Sequence, residues 1–133
     1  MKKFKNYSLG LLLAISLLAC SMYGEKVSYN GTDVYYKEGV SKEIAKKVGA
    51  YLEDSGFSDG TTKSVQITKD SIYNFRMVTQ EQYHEDTTLD VSLKALGMLL
   101  SKEVFEGQPI NFVVCDNAFE TIRTIPINGF KTN

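Results

Sequence analysis

Between Val40 and Val78 the chain changes its hydrophobic period once. Ile44, Val48, Tyr51 and Leu52 recur at helical spacing, and Lys42, Glu43, Lys46, Lys47, Glu53 and Asp54 fill the other positions. Val65 and Ile67 then alternate with Ser64, Gln66 and Thr68, the period-two pattern of a strand with one buried face. This predicts a helix from the N-cap Ser41 to Ser55, stopped by Gly56 with Phe57 returning to the core. A hairpin of strands 63–68 and 72–79 follows, turning at Lys69-Asp70-Ser71.

The pattern extends in both directions. Asn30-Gly31, flanked by β-branched and aromatic residues, is the signature of a type I′ turn and predicts paired strands over 26–29 and 32–37. Downstream, Leu89, Leu93, Leu96, Leu100 and Val104 form the stripe of a helix over 89–105, ended by Gly107-Gln108-Pro109. Ile110, Phe112 and Val114 mark a strand over 110–115, and Asp116-Asn117 turns it into a last strand over 119–127.

The order ββ-αββ-αββ implies an α+β domain, an antiparallel sheet with two helices on one face. The other face is expected to be open and to carry Gln66, Thr68, Asn74, Arg76, Thr121 and Arg123. An internal αββ duplication is suggested by VGAYLEDSGF against LGMLLSKEVF and SVQITKDSIYNFRMV against NFVVCDNAFETIRTI. It pairs Val48-Gly49 with Leu96-Gly97 and Arg76 with Arg123, which would put both arginines at the centre of one surface.

The N-terminus adds a targeting signal. Lys2, Lys3 and Lys5 precede an uncharged apolar run, LGLLLAISLLA, too short for a comfortable membrane span and without a stop-transfer pattern, so residues 1–20 read as a signal peptide. The ending Leu17-Leu18-Ala19-Cys20 resembles the bacterial lipobox, although Leu18 is bulkier than the usual residue there. That resemblance implies lipid on Cys20, with Ser21 directing the protein to the outer membrane where one exists. The alternative is ordinary cleavage after Ser21 and a secreted or periplasmic soluble protein. Residues 21–26 would be a short tether, 27–128 the single domain and 129–133 a frayed tail.

Charge and cysteines narrow the chemistry. Without the three leader lysines the remaining chain has 12 basic against 16 acidic side chains, so nucleic acid is not an expected partner. If Cys20 is acylated, Cys115 has no intramolecular partner, and its place in INFVVC predicts a buried hydrophobe rather than a reactive thiol. Glu81, His84, Glu85 and Asp86 are metal-ligand types, but on one polar connection they read as solvated, and neither metal nor cofactor is expected. No Ser-His-Asp set, phosphate-binding glycine loop or H-E-x-x-H motif is present.

The stretches YYKEGVSKEIAKKVGAYLEDSGF and GTTKSVQITKDSIYNFRMVT resemble a domain of small exported or membrane-anchored bacterial proteins of uncharacterised function. The resemblance covers residues 35–79 and implies export without supplying a catalytic residue. The expected function is a non-enzymatic binding or structural module of the cell envelope, held to the membrane by lipid and contacting an envelope protein. Its expected binding residues are Arg76, Arg123, Gln66 and Asn74, and truncating either arginine is expected to spare stability. The alternative is a small-ligand binder or enzyme using the same open face.

Overall fold

The computed structural model describes residues 22–130, so the leader, Cys20 and Ser21 lie outside the described residues. β1 (Glu25–Tyr29) and β2 (Thr32–Tyr36) form a hairpin. α1 (Lys42–Asp54) leads to β3 (Lys63–Lys69) and β4 (Tyr73–Val78), and α2 (Asp90–Glu103) to β5 (Ile110–Cys115) and β6 (Thr121–Ile127). Two 3-10 turns, Glu81–Tyr83 and Thr87–Leu89, sit in the connection before α2. The fold is α+β, with one six-stranded sheet whose strands lie in chain order.

The sheet is mixed, which corrects the antiparallel expectation. Each hairpin is antiparallel, but β2 pairs with β3, and β4 with β5, in parallel. The helices cause this: each carries the chain back to the end where the preceding strand began, so an adjacent next strand runs the same way. Both helices lie on one face. Val48 and Leu52 of α1 and Leu100 of α2 share a core with Val34, Val65, Ile67, Phe75, Phe112 and Ile125. They diverge from the middle, α1 covering β1 and β2 while α2 covers β5 and β6.

That divergence removes the expected duplication. α1 packs on the hairpin before it and α2 on the hairpin after it, so the two αββ segments do not superpose. Both crossovers step in the same direction along the sheet, on one face, between strand pairs that run oppositely. They are therefore of opposite hand, and one is left-handed, the disfavoured sense. What symmetry exists is spatial: a two-fold axis between β3 and β4 exchanges β1 with β6 and α1 with α2, without following the chain.

The local signals explain the elements. Asn30 and Gly31 both have positive φ, 46° and 91°, as a type I′ turn requires. Ser41 Oγ accepts from Ile44 N at 3.2 Å, and Gly56 ends α1 at φ 85°. α2 begins later than its apolar stripe because Asp86 first caps the Thr87–Leu89 turn, accepting from Thr88 N at 3.0 Å. Within the tail expected over 129–133, Phe130 N donates to Gly107 O at 2.7 Å, and residues 131–133 lie outside the described residues.

Two helical glycines let the helices reach the outer strands. A Cβ on Gly49 would intrude on the Tyr29 ring of β1, and one on Gly97 would lie 2.7 Å from Ile127 Cδ1 of β6. Alanine gains up to about 1 kcal/mol of helix propensity over glycine, whereas overpacking costs about 1–3 kcal/mol. Ile127 can shift the end of a flexible side chain, but the Tyr29 ring must move as a rigid unit. Gly49→Ala should therefore lower stability by about 1–2 kcal/mol and Gly97→Ala by clearly less, as read by urea denaturation. Equal effects would show that the ring is not held against α1.

Candidate functional site

The sheet face turned away from the helices carries a polar row. Tyr35, Gln66, Arg76 and Val113 are direct neighbours across β2 to β5. Arg76 Nε donates to Gln66 Oε1 at 3.1 Å, and Gln66 Nε2 donates to the backbone oxygen of Tyr23 at 3.0 Å. Arg76 Nη2 donates to Phe119 O in the β5–β6 turn. The Tyr23 ring meets Tyr35 and Phe119 edge-on, at centroid distances of 5.8 and 5.3 Å, and Tyr35 and Phe119 are 5.7 Å apart. Lys37 Nζ also donates to Met22 O.

This face is therefore not open where Arg76 stands. The segment entering β1 and the β5–β6 turn both fold across it, covering Val113 and Cys115. The next row is polar and better exposed at its margins. Asn111 Nδ2 donates to Asn74 Oδ1 at 3.0 Å, and Asn74 Nδ2 donates to Thr68 Oγ1 at 3.1 Å and Asp70 Oδ2 at 3.3 Å. Gln66 and Asn74 are 4% and 7% exposed. Among the described residues, no buried side-chain nitrogen or oxygen lacks a hydrogen-bond partner. Three of the expected binding residues, Gln66, Asn74 and Arg76, thus share the expected face but spend their polar groups inside the domain.

Arg123 is elsewhere, a correction with a clear cause. Cys115 pairs with Thr121 but Val114 pairs with Arg123, so Ile122 is the extra residue of a β-bulge. One inserted residue reverses the side-chain alternation, leaving Thr121 on the face of Cys115 and moving Arg123 to the helix face. There Arg123 gathers the connection before α2. Its Nε donates to His84 O at 2.8 Å, its Nη2 to Asp86 O at 3.1 Å, and its Nη1 pairs with the Asp90 carboxylate.

The same connection carries the metal-type residues. His84 Nε2 lies 3.0 Å from Thr79 O. The Asp86 carboxyl is held below the usual carboxylate range by the Thr88 hydroxyl and backbone N–H, with the Arg123 charge adding to this. No group of three His, Cys, Asp or Glu side chains among the described residues is placed to hold a metal ion. Cys115 is fully buried, and desolvation pushes its thiol up to about 11.

A groove that sequence reasoning missed lies at the end of β3 and β4. It is open to solvent, encloses about 810 Å³, and is lined by Phe57 and Met77, the hydroxyl residues Thr61, Ser64 and Thr79, and the charged Lys63 and Glu81. Lys63 Nζ donates to Asp59 Oδ1 at 2.8 Å and to Phe57 O. Lys63, and then Thr61, hold the Asp59 carboxyl well below the usual range. The groove is assembled from separate loops, so no single stretch of sequence could signal it.

A family model described as a family N-terminal domain matches residues 26–126. No curated protein and no solved structure matches the chain. The matched span runs from β1 into β6 and so includes both helices and all three hairpins.

Three outcomes follow from this geometry. Bonds to charged groups contribute about 1.5–3 kcal/mol each, and the Arg123 and Asp90 side chains are only 18% and 28% exposed. Arg123→Ala should cost about 2–3 kcal/mol in chemical denaturation. Arg76→Ala should instead raise hydrogen exchange at Tyr23 and Phe119 ahead of the sheet, and a neutral Arg123→Ala would refute the anchoring role. A thiol-specific reagent at neutral pH should label Cys115 only as fast as the protein unfolds; rapid labelling of that residue in the native state would contradict its burial.

Proposed function

The chain belongs to the AF_1994_N family, and from that premise we propose that it is an exported bacterial envelope protein, anchored through lipid on Cys20, that works as a non-enzymatic binding or structural module. The lipid reading rests on the Leu17-Leu18-Ala19-Cys20 ending, and the docking of Tyr23 sets how closely such an anchor would hold the domain. Contacts with the sheet begin only three residues after Cys20, not at the first strand. At roughly 3.3 Å per extended residue, Tyr23 would lie within about 10 Å of the lipid-bearing cysteine. Such a domain does not roam on a linker: its sheet face, crossed by Met22 and Tyr23, would stay close to the bilayer. The hydrogen bonds of Gln66, Asn74 and Arg76 favour a structural role for this face.

A second reading, binding of a small ligand, is favoured by the groove beside Phe57 and Met77 rather than by the sheet face. Its hydroxyl and apolar lining, with the charged Lys63 and Glu81 among it, suits a polar ligand that presents both hydroxyls and a hydrophobic surface.

Mass spectrometry of the mature N-terminus tests the anchoring proposal. The expected species begins at Cys20 and carries acyl chains, and Cys20→Ala should move the protein from the membrane to the soluble fraction. An unmodified chain beginning at Met22 would replace lipid anchoring with plain secretion.

A further inference from the structure

Asparagine or aspartate precedes glycine at three places in the chain, Asn30-Gly31, Asp59-Gly60 and Asn128-Gly129. Each such pair has the atoms to close on itself. The glycine nitrogen attacks the side-chain carbonyl carbon of the residue before it, and glycine has no Cβ to obstruct the approach. To form the five-membered ring, the linking peptide must turn about the Cα–C bond of the first residue. Because that peptide is planar, its C=O and N–H swing together.

Two of the three pairs are locked. Asn30 O accepts from Gly60 N at 2.9 Å and Gly31 O from Lys63 N at 3.3 Å, so turning the peptide between them breaks the join to the 58–63 loop. Asn30 Nδ2 also donates to Ser58 O at 3.1 Å, which holds the side chain in place. Behind it, Ser58 Oγ donates to the buried Thr32 Oγ1 at 2.7 Å. At the second pair, Asp59 Oδ1 accepts from Lys63 Nζ at 2.8 Å, Thr61 Oγ1 at 2.6 Å and Thr61 N at 3.1 Å. Lys63, and then Thr61, keep this carboxyl ionised, and a carboxylate has no neutral group to expel.

Asn128-Gly129 has neither restraint. It follows the last pair of β6, Ile127 with Ile110, and Asn128 is exposed. Among the described residues, neither the Asn128 side chain, its carbonyl oxygen nor Gly129 N makes a hydrogen bond. The next restraint is the single bond from Phe130 N to Gly107 O. We propose that Asn128 is a site of spontaneous deamidation in the folded protein, with water as the co-reactant, whereas the turn at Asn30 preserves its amide. Gly129 N bonds to Asn128 Cγ, the Cγ–Nδ2 bond breaks, and the amide leaves as ammonia with the proton of Gly129 N. Water then opens the succinimide at either carbonyl, giving aspartate or an isoaspartyl linkage, and nothing is oxidised or reduced. The isoaspartyl chain runs through Cβ and gains one backbone atom between Ile127 and Phe130, which pulls Phe130 N out of register with Gly107. This inference rests on neither the lipid nor the groove.

The test incubates the full chain in mild detergent at mildly alkaline pH and follows its peptides by mass spectrometry, with electron-transfer fragmentation to separate isoaspartate from aspartate. The Asn128 peptide should convert at least about tenfold faster than the Asn30 peptide, since the latter must first open its loop contacts. In urea, where those contacts are gone, the two should convert at similar rates. Asn128→Gln, whose ring would need six members, should abolish conversion at that position. Hydrogen exchange at Phe130 should rise in the isoaspartyl product but not in Asn128→Asp, which adds the charge without the extra backbone atom. Equal native rates, an Asn128 peptide that converts only in urea, or an Asn30 peptide as slow in urea as in the folded chain would each overturn the proposal.

Discussion

A sheet buried by helices on one side only must still satisfy its other side, and much of this structure follows from that constraint. α1 and α2 cover the outer strands of one face, and Gly49 and Gly97 allow each helix to sit close. On the other face Val113 and Cys115 of β5 have no helix above them. The chain covers them with Tyr23 from before β1 and Phe119 from the β5–β6 turn. Edge-to-face aromatic pairs contribute only about 0.5–1.5 kcal/mol each, so the Gln66 and Arg76 bonds to the two backbones are needed to fix the positions.

The strength of the sequence signal varied with how local its cause was. Asn30-Gly31, the Ser41 cap and the Gly56 stop are decided within a few residues, and the structure has the turn, the cap and the left-handed glycine at those places. Strand direction is not local. Nothing in the period of Ile110, Phe112 and Val114 states whether β5 pairs with β4 in parallel, because alternation is the same in either direction. The crossover helices decide it, and only once both elements are known to be neighbours.

The candidate site was legible to the same degree. Gln66, Asn74 and Arg76 were correctly grouped, because strict alternation along β3 and β4 puts them on one face. Arg123 was misplaced by a single residue, since the bulge at Ile122 leaves no mark in a segment where Thr121, Ile122, Arg123 and Thr124 already gave little contrast. The matched arginines that suggested a duplication are on opposite faces and do different work, one holding Tyr23 and Phe119 through Gln66 and a backbone oxygen, the other holding the approach to α2. Similar short segments were made similar by the demands of hairpins and amphipathic helices, without a shared position in the fold.

The two unequal faces divide the molecule's surroundings. Tyr23 lies on the helix-free face, held there through Gln66. The outward side of α2 points the other way, because the residues that bury α2 against β5 and β6 leave Val91, Ala95 and Met98 on the far side of the helix. On the first face the Gln66 and Arg76 hydrogen bonds hold Tyr23 in place and commit that surface to the domain's own chain, whereas the outward side of α2 is left to solvent.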